Sequence, residues 1–407
     1  MKILLILQAE RKDWYTYLRE DSQNEFYLLW HENEKDIPEW IYLDKFFKKV
    51  YNWNKFATPQ SLLKSIAPDK IVFFEVIDQR QIALLVTANR NGLKTFYLEH
   101  GAAGMRANSL KNYEPKQDFL KERLKYIRVR FLSAFLNLVR SKFFYYSAAF
   151  KVRSFKSLLK YFSLPFKMLV TTPNKALLNT KFIERTPARS IVFNKSNFEV
   201  FELYTGIKKE SAVFTGIPLF DKLYDSKTYI GDHMVFIDHP YLEQGQNGWT
   251  PDFHKEIADT LLDFSVSHNV KVYVRLHPNS NMELWMSYGY ESPNFILSQN
   301  VVFTNELLTS KLIISYSSTL LTGMLCAKKN IVLLGWHPTP IIFGYDFSQF
   351  GICHVSFDLG DLQNKYDFWV ENNLAERNSE QYKNYIENMN NPFDGKAAIR
   401  VLQTITS

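Results

Sequence analysis

The sequence predicts an α/β protein with two doubly wound parallel sheets, each covered by helices. Its 407 residues exceed what one ordinary hydrophobic core holds. Short apolar, β-branched or aromatic runs alternate with helix-like segments in both halves, which is typical of parallel sheets. Gly216 and Pro218 interrupt regular structure in the middle of the chain. We therefore expect one domain over 1–225 and a second over 226–407.

The first half alternates strand and helix signals in chain order, as expected for strands joined by crossover helices. Asn91 and Gly92 mark the end of one of these helices. The predicted strands are Ile3–Leu7, Phe26–Trp30, Lys70–Val76, Lys94–Leu98, Lys167–Thr171 and Ser190–Phe193. The predicted helices are Pro59–Ile66, Gln79–Asn91 and Asn197–Tyr204.

The second half repeats this alternation and therefore predicts a second parallel sheet. The predicted strands are Met234–Ile237, Lys271–Leu276, a strand near Val301–Phe303, Lys311–Ile314 and Asn330–Leu334. The predicted helices are Phe253–Ser267 and Leu320–Ala327. Residues from about Gln363 to the end also look helical, and we expect them to pack back across the domains.

Positive charge is concentrated in one segment of the first half. The chain carries a net charge of +7, and residues 111–167 hold 14 Lys/Arg against 3 Asp/Glu. This excess of 11 leaves about −4 for the rest (7 − 11). Aromatic residues run through the same segment, so we predict an amphipathic helical insert at about 111–166 that contacts an anionic membrane surface.

The alternative for this segment is a solvated basic face above aromatics that pack on the domain. Nucleic acid is not an expected partner, because no recognition motif accompanies the charge. No stretch of about 20 apolar residues occurs, so nothing is expected to span a membrane. These features predict a cytoplasmic protein held peripherally at the inner membrane.

Polar residues beyond the carboxyl ends of the strands are the first site candidates, since ligands bind there in open parallel sheets. Glu99, His100 and Gly101 follow the predicted strand Lys94–Leu98, and small residues come next. An acceptor hydroxyl must lose its proton as it attacks, and either Glu99 or His100 is placed to take it.

Two histidines follow strands of the second half. His239 comes after Met234–Ile237, where a donor phosphate can approach. Pro278 ends the next predicted strand and holds His277 at its rim. We expect a protonated His277 to pair with the phosphate and to offset charge developing on the leaving group.

Four hydroxyl side chains follow the predicted strand Lys311–Ile314. They are Ser315, Ser317, Ser318 and Thr319. The unpaired N–H groups and the dipole of the helix that follows favour an anion. Capping a helix needs only one hydroxyl, so the group predicts phosphate binding.

Other nucleotide and metal motifs do not occur in the sequence. It contains no Walker loop and no GxGxxG, which disfavours ATP-type and NAD-type phosphate cradles. It also contains no HExxH, CxxC or convincing DxD pattern. We expect no metal and no cofactor, with an activated nucleotide donor as substrate.

The order of these motifs resembles the bacterial sialyltransferase and polysialyltransferase families. His277-Pro278 is followed about 40 residues later by Ser317-Ser318, as in their HP and Ser-Ser or Ser-Thr motifs. Their acid-acid-Gly motif, whose carboxylate is the general base, is similar to Glu99-His100-Gly101, with His replacing one acid. The stretch 239–243 is similar to the Gln-Pro-Leu-x-Glu stretch of polysialyltransferase-like proteins, with His in place of Gln.

An HG pair with HP and Ser-Ser also resembles the CDP-glycerol glycerophosphotransferases, in which histidines do the corresponding work. Gly216-Ile217-Pro218 with Asp221 is similar to the interdomain signature of that group and of UDP-GlcNAc 2-epimerases. These resemblances imply a GT-B fold, in which two Rossmann-like domains face a cleft.

The resemblance implies a metal-independent inverting glycosyltransferase. It would move a sialic acid-like or Kdo-like sugar from a CMP-activated donor to a bacterial surface glycan or lipid-linked acceptor. By position, His100 with Glu99 would be the base, His277 would contact the donor phosphate, and Ser317 and Ser318 would hold it. Pro278, Ser315, Thr319, His239 and Gly216 would complete the donor site.

Three alternatives to this function remain open at the sequence level. They are a glycerophosphotransferase acting on a teichoic-type polymer, a nucleotide-sugar 2-epimerase, and a non-catalytic assembly protein at the membrane surface. The glycerophosphotransferase shares the cytidine nucleotide with the sialyl and Kdo enzymes, so the nucleotide is a safer expectation than any one sugar.

Overall fold

The computed structural model describes residues 1–7, 11–30, 37–101, 131–224, 231–243, 245, 248–299, 305–316, 318–335 and 350–407. These residues divide into two compact units. The first comprises the described parts of 1–219 together with Lys396–Ser407, and the second comprises those of Phe220–Gly395.

The first unit is built on a parallel sheet. Its strands are β1 (Lys2–Ile6), β2 (Glu25–Trp30), β3 (Phe47–Asn52), β4 (Lys70–Phe73), β5 (Lys94–Leu98), β6 (Arg189–Val192) and β7 (Ala212–Phe214). They lie in the order β3-β2-β1-β4-β5-β6-β7, and every pairing is parallel. This order reverses between β1 and β4, as in doubly wound dinucleotide-binding folds.

Helices cover this sheet and bury its apolar faces. They are α1 (Glu39–Leu43), α2 (Pro59–Ile66), α3 (Gln79–Arg90), α4 (Phe131–Ser147), α5 (Phe155–Val170), α6 (Pro173–Leu178) and α7 (Lys195–Thr205). Local sequence explains their ends. Thr58 caps α2 with Pro59 as its first residue, Asn194 caps α7, and Gly206 ends α7 at φ +74°.

The second unit repeats the architecture. Its strands are β8 (His233–Ile237), β9 (Lys271–Arg275), β10 (Phe295–Ser298), β11 (Leu312–Ser315), β12 (Ile331–Leu334) and β13 (His354–Ser356). The sheet order is β10-β9-β8-β11-β12-β13 with parallel pairings throughout. The order reverses between β8 and β11, so this is where a ligand is expected to bind.

The helices of the second unit lie before, between and after these strands. They are α8 (Asp221–Tyr224), α9 (Pro251–Ser267), α10 (Glu283–Glu291), α11 (Asn305–Thr309), α12 (Leu320–Cys326), α13 (Leu359–Asn364), α14 (Tyr366–Glu371), α15 (Leu374–Arg377) and α16 (Ser379–Asn388). A final helix, α17 (Ala397–Thr406), belongs to the first unit. Among the described helices, none combines the length and the apolar character needed to cross a bilayer.

The predicted fold class is confirmed, because both halves form parallel Rossmann-like sheets. The contacts of α17 differ from the predicted domain 226–407. Val401 and Ile405 are fully buried in the core of the first unit, and Lys70 Nζ donates to the carbonyl of Ile405 at 2.8 Å. Helix α17 therefore packs in the first unit rather than in the predicted second domain.

Two strand predictions differ from the structure. The predicted strand Lys167–Thr171 is wrong, because α5 continues to Val170. The strand predicted near Val301–Phe303 falls outside the described residues, and β10 lies earlier in the chain. The predicted insert at about 111–166 is helical where it is described, in α4 and α5.

Candidate functional site

Three strand ends of the second unit lie level at one edge of its sheet. Ile237 in β8 pairs with Arg275 in β9 on one side and with Ser315 in β11 on the other. Because neighbouring strands are about 4.8 Å apart, Arg275 and Ser315 are separated by about 10 Å across β8. The segments carrying His239 and His277 therefore leave the sheet side by side, next to the switch in strand order.

A buried carboxyl group fastens the loop after β9 to the end of β8. Ser280 Oγ donates to Asp238 Oδ2 at 2.7 Å, and both residues are buried. Burial raises the pKa of Asp238 to about 7, and the charge of Glu243 adds to this while the Ser280 hydrogen bond opposes it. Glu243 also holds the loop, because its Oε1 accepts from the backbone N–H of Asn281 at 2.6 Å.

His277 lies inside the loop that Asp238 fastens, and its tautomer follows from its contacts. The backbone N–H of Asn279 donates to His277 Nδ1 at 3.1 Å. Since Nδ1 accepts, the proton of the neutral ring is on Nε2. A second proton on Nδ1 would displace the Asn279 hydrogen bond, and the predicted protonation of His277 stays a prediction. In this tautomer His277 offers an Nε2–H donor.

His239 lies next to His277, with 5.8 Å between the ring centroids. Its ring stacks on Tyr241 at 4.1 Å. Burial, and to a lesser extent the nearby His277, lowers the pKa of His239 to about 4. His239 is therefore neutral at physiological pH, so any contact with a phosphate would be a hydrogen bond without charge.

The hydroxyl turn after β11 divides into different roles. Ser315 is buried, and its Oγ donates to the carbonyl of Ile237 at 3.0 Å, so this hydroxyl joins two strands. Ser318 Oγ accepts from the backbone N–H of Leu320, the first residue of α12, at 3.3 Å. Thr319 is exposed and makes no side-chain cap. Ser317 lies outside the described residues, and Pro278 is exposed beside His277.

A second polar group lies at the carboxyl end of β5, in the first unit. Glu99 is only 8% exposed, and its Oε1 accepts from the backbone N–H of His100 at 3.2 Å. Burial raises the pKa of Glu99 to about 7, and hydrogen bonds from Asn197 and from the backbone of His100 limit the rise. Asn197 also fixes the following turn by donating to the carbonyl of Gly101 at 2.7 Å.

His100 is more accessible than Glu99 and is oriented from several sides. Its Nδ1 lies 3.0 Å from the carbonyl oxygen of Phe74, which can only accept, so Nδ1 carries the proton. The lone pair is then on Nε2, which lies 3.9 Å from Glu75 Oε1. The ring packs on Trp14 with 4.0 Å between centroids. This arrangement suits a proton acceptor with a carboxylate beside it.

Sequence reasoning missed Glu75 and the pair formed by Asp238 and Ser280. Glu75 was included in the predicted strand Lys70–Val76, whereas β4 ends at Phe73 and leaves Glu75 at the sheet edge. That position beyond a strand end was the available signal. Gly216, predicted to bind the donor, belongs to the first unit and has a φ of +75°. Among the described residues, no three His, Cys, Asp or Glu side chains are arranged to hold a metal ion.

Comparison with solved structures shows the same fold over the whole chain. UDP-GlcNAc 2-epimerase from Neisseria meningitidis, in a crystal structure bound to UDP-GlcNAc, is similar with a TM-score of 0.53, 10% identity and full coverage of both chains. The putative UDP-N-acetylglucosamine 2-epimerase from Listeria monocytogenes is similar with a TM-score of 0.53, 13% identity, and coverage of 100% of this chain and 96% of that one.

The wall teichoic acid polymerase TagF is also similar, with a TM-score of 0.52 and 12% identity over 99% of this chain and 88% of that one. No protein-family model and no curated protein matches the sequence. At these identities the structural matches establish the fold, which is of the GT-B type.

Proposed function

We propose that the protein is a glycosyltransferase that uses a cytidylate-activated sugar, of the sialic acid or Kdo kind, as its donor. One observation carries this proposal: an Nε2–H donor on His277, set by Asn279, lies at the sheet edge beside the switch in strand order. Donor phosphates bind at this place in doubly wound sheets, and a fixed N–H can stabilise the negative charge of a departing nucleotide.

The donor phosphate is assigned to the second unit. His277 Nε2 and the neutral His239 ring supply hydrogen bonds, and the turn that contains Ser317, Ser318 and Thr319 supplies hydroxyls. The fastening of Ser280 to Asp238 supports this assignment, because it holds the His277 loop against β8 before any ligand arrives. Because the loop already fixes the N–H group of His277, the protein does not have to reorganise this hydrogen-bond donor during the reaction.

Proton removal from the acceptor hydroxyl is assigned to His100 with Glu99, in the first unit. His100 is favoured as the group that accepts the proton, because its Nε2 bears the lone pair and its side chain is 25% exposed, against 10% for Glu99. When Nε2 takes a proton, the Glu75 carboxylate stabilises the imidazolium. Glu99 holds the backbone of His100 in place by accepting a hydrogen bond from its N–H.

The reaction then balances as one displacement. The acceptor oxygen forms a bond to the anomeric carbon while the bond from that carbon to the donor phosphate oxygen breaks. The hydroxyl proton goes to His100, and the bonding electrons leave with CMP. Direct attack inverts the configuration at the anomeric carbon. The proposed acceptor is a bacterial surface glycan or a lipid-linked glycan.

A CDP-glycerol-type glycerophosphotransferase is the second candidate. The greater accessibility of His100 favours it, because His100-Gly101 and His277-Pro278 then both act through histidine. Its donor is also a cytidine nucleotide, so the assignments in the second unit would be unchanged. A UDP-GlcNAc 2-epimerase-like activity is the third candidate, and the fold shared with the two epimerases supports it.

Turnover of four nucleotides distinguishes these candidates. Full-length protein is incubated separately with CMP-sialic acid, CMP-Kdo, CDP-glycerol and UDP-GlcNAc, and the products are measured by chromatography. We expect CMP release from one of the CMP-sugars. CMP release only from CDP-glycerol would favour the second candidate, and epimerisation of UDP-GlcNAc alone would contradict a cytidylate donor.

Substitution of His277 tests its role in whichever cytidylate reaction is found. We expect His277→Ala to lower kcat by about 10²–10³, as for loss of a donor to a developing anion. His268→Ala is the matched control. His268 follows α9 and lies before the amino end of β9, whereas His277 lies after the carboxyl end of the same strand. Equal turnover in the two variants, with unchanged melting temperatures, would remove His277 from the mechanism.

A further inference from the structure

The helix α5 carries an apolar stripe on the side that faces away from the protein core. Phe155, Leu159, Phe162, Phe166 and Leu169 recur at intervals of four and three residues and are 41–75% exposed. This spacing places them on one face of the helix. A surface helix ordinarily carries polar residues there, so the stripe needs a partner.

The opposite face of the same helix is already used. Tyr161, Leu164 and Met168 are buried in the core of the first unit, again at intervals of three and four. Of the aromatics in the basic segment, Phe144 and Tyr145 of α4 are also core residues. These buried side chains cannot contact a partner. A partner can therefore contact only the exposed stripe of α5, which we call the outer stripe, and the exposed residues next to it.

Neighbouring residues extend the exposed stripe beyond α5. Phe162 stacks on Tyr146 of α4 at 5.7 Å, which links the two helices. On α4, Val139 and Phe143 are 49% and 59% exposed, and Phe150 in the turn between the helices is 93% exposed. The outer stripe, Phe143 and Phe150 together form a surface that we call the aromatic face.

The two helices of the aromatic face and the turn between them carry charge of one sign. Residues 131–170 contain seven Lys/Arg and no Asp or Glu. Arg140, Arg153 and Lys156 are exposed. Exposed aromatics among cations complement the headgroups and acyl boundary of an anionic bilayer. A two-fold contact with a second copy would bring the same cations together and is disfavoured by repulsion.

We propose that the aromatic face inserts into the surface of an anionic bilayer, with the exposed cations Arg140, Arg153 and Lys156 contacting lipid phosphates. This inference stands independently of the proposed reaction, because it uses no residue of either strand-end site. It assigns the membrane contact to the aromatic face rather than to the whole basic segment.

Vesicle binding by the full-length protein tests the proposal. Vesicles of phosphatidylcholine alone and of phosphatidylcholine with phosphatidylglycerol are sedimented with wild type and with a Phe155→Ser, Leu159→Ser, Phe166→Ser variant. We expect wild type to bind the anionic vesicles preferentially and the variant to bind them at least about tenfold more weakly, because less apolar surface is buried. Loss of binding at high salt is also expected.

The control variant changes exposed apolar residues elsewhere, namely Tyr290→Ser, Phe357→Ser and Phe368→Ser in the second unit. It should bind as wild type does, and both variants should keep the wild-type melting temperature because the changed side chains are exposed. The proposal is overturned if wild type does not bind anionic vesicles, or if the outer-stripe variant binds them normally. A change of oligomeric state without a change in vesicle binding would assign the face to a second copy.

Discussion

At the scale of single residues, two buried carboxyl groups stand out because burial holds both pKa values near 7. Asp238 and Glu99 each follow a strand of a parallel sheet and each supports a histidine segment through hydrogen bonds. A carboxyl group in this state gains or loses its charge close to physiological pH. Both proposed strand-end sites are therefore expected to respond to pH.

Stability should reveal the titration of Asp238. Its pKa is about 7 in the folded protein against an ordinary value of 3.8, so between these pH values the folded state holds a proton that the unfolded state has released. The free energy of unfolding therefore falls as pH rises through this window, by at most about 1.4 kcal/mol per pH unit from this group. Above pH 7 the contribution levels off.

Asp238→Asn removes this contribution while it keeps an oxygen that accepts from Ser280. We expect the stability of the variant relative to wild type to improve as pH is raised from 5 to 8, measured by urea unfolding at each pH. Glu99 titrates in both proteins and cancels in the difference. A stability difference that is independent of pH would show that Asp238 is ionised throughout.

At the scale of elements, the continuation of α5 through Pro165 has a specific cause. Proline has no N–H, so the carbonyl of Tyr161 loses its helical partner. The hydroxyl of Tyr145 donates to that carbonyl at 2.7 Å, and the hydroxyl of Tyr161 donates to the carbonyl of Tyr145 at 2.5 Å. Their rings stack with 4.1 Å between centroids. The Tyr145 hydroxyl of α4 thereby replaces the helical hydrogen bond that Pro165 removes from α5.

Tyr145→Phe should destabilise the first unit by about 1–2 kcal/mol, because a buried carbonyl is left without a donor. Pro165→Ala supplies a main-chain N–H to the same carbonyl. In the Pro165→Ala background we expect Tyr145→Phe to lower the free energy of unfolding by clearly less. Denaturant unfolding of wild type, the two single variants and the double variant measures this difference. Equal costs in the two backgrounds would mean that Tyr145 does not replace the missing helical bond.

The same helix shows where sequence patterns run out. Lys167–Thr171 is a short apolar run, and such runs do not distinguish a strand from a buried helix segment. The periodic stripe through Phe155 and Phe166 was the better signal, but it lies on the exposed face and Pro165 interrupts the pattern. By contrast, Pro59–Ile66 was predicted to the residue because Thr58 and Pro59 mark its start.

At the scale of the whole molecule, alternating strand and helix signals were sufficient to predict two parallel sheets. The helical pattern after Gln363 led us to expect packing back across the domains, but it did not specify that α17 joins the core of the first unit while the helices before it stay in the second. Its apolar residues Val401 and Ile405 show a helix that needs a core but do not say which one. That choice depends on long-range contacts such as the one from Arg400 Nε to the carbonyl of Thr215 at 2.8 Å.

The candidate sites were likewise predicted only in part from the sequence. The rule for strand ends identified Glu99, His100, His239 and His277 from the sequence. It gave no access to tautomers, which depend on the backbone of Asn279 and Phe74. It also could not separate Ser315, whose hydroxyl joins two strands, from the other hydroxyls of its turn.

The central claim is that the second unit holds a cytidine nucleotide through His277. Calorimetric titration of CMP, CDP, UMP and UDP into wild type, His277→Ala and His268→Ala tests it most directly. We predict that wild type and His268→Ala bind CMP or CDP in preference to the uridine nucleotides. His277→Ala should bind at least about tenfold more weakly, a loss of about 1.4 kcal/mol. Undiminished cytidine nucleotide binding by His277→Ala, or no preference for cytidine in wild type, would contradict the account.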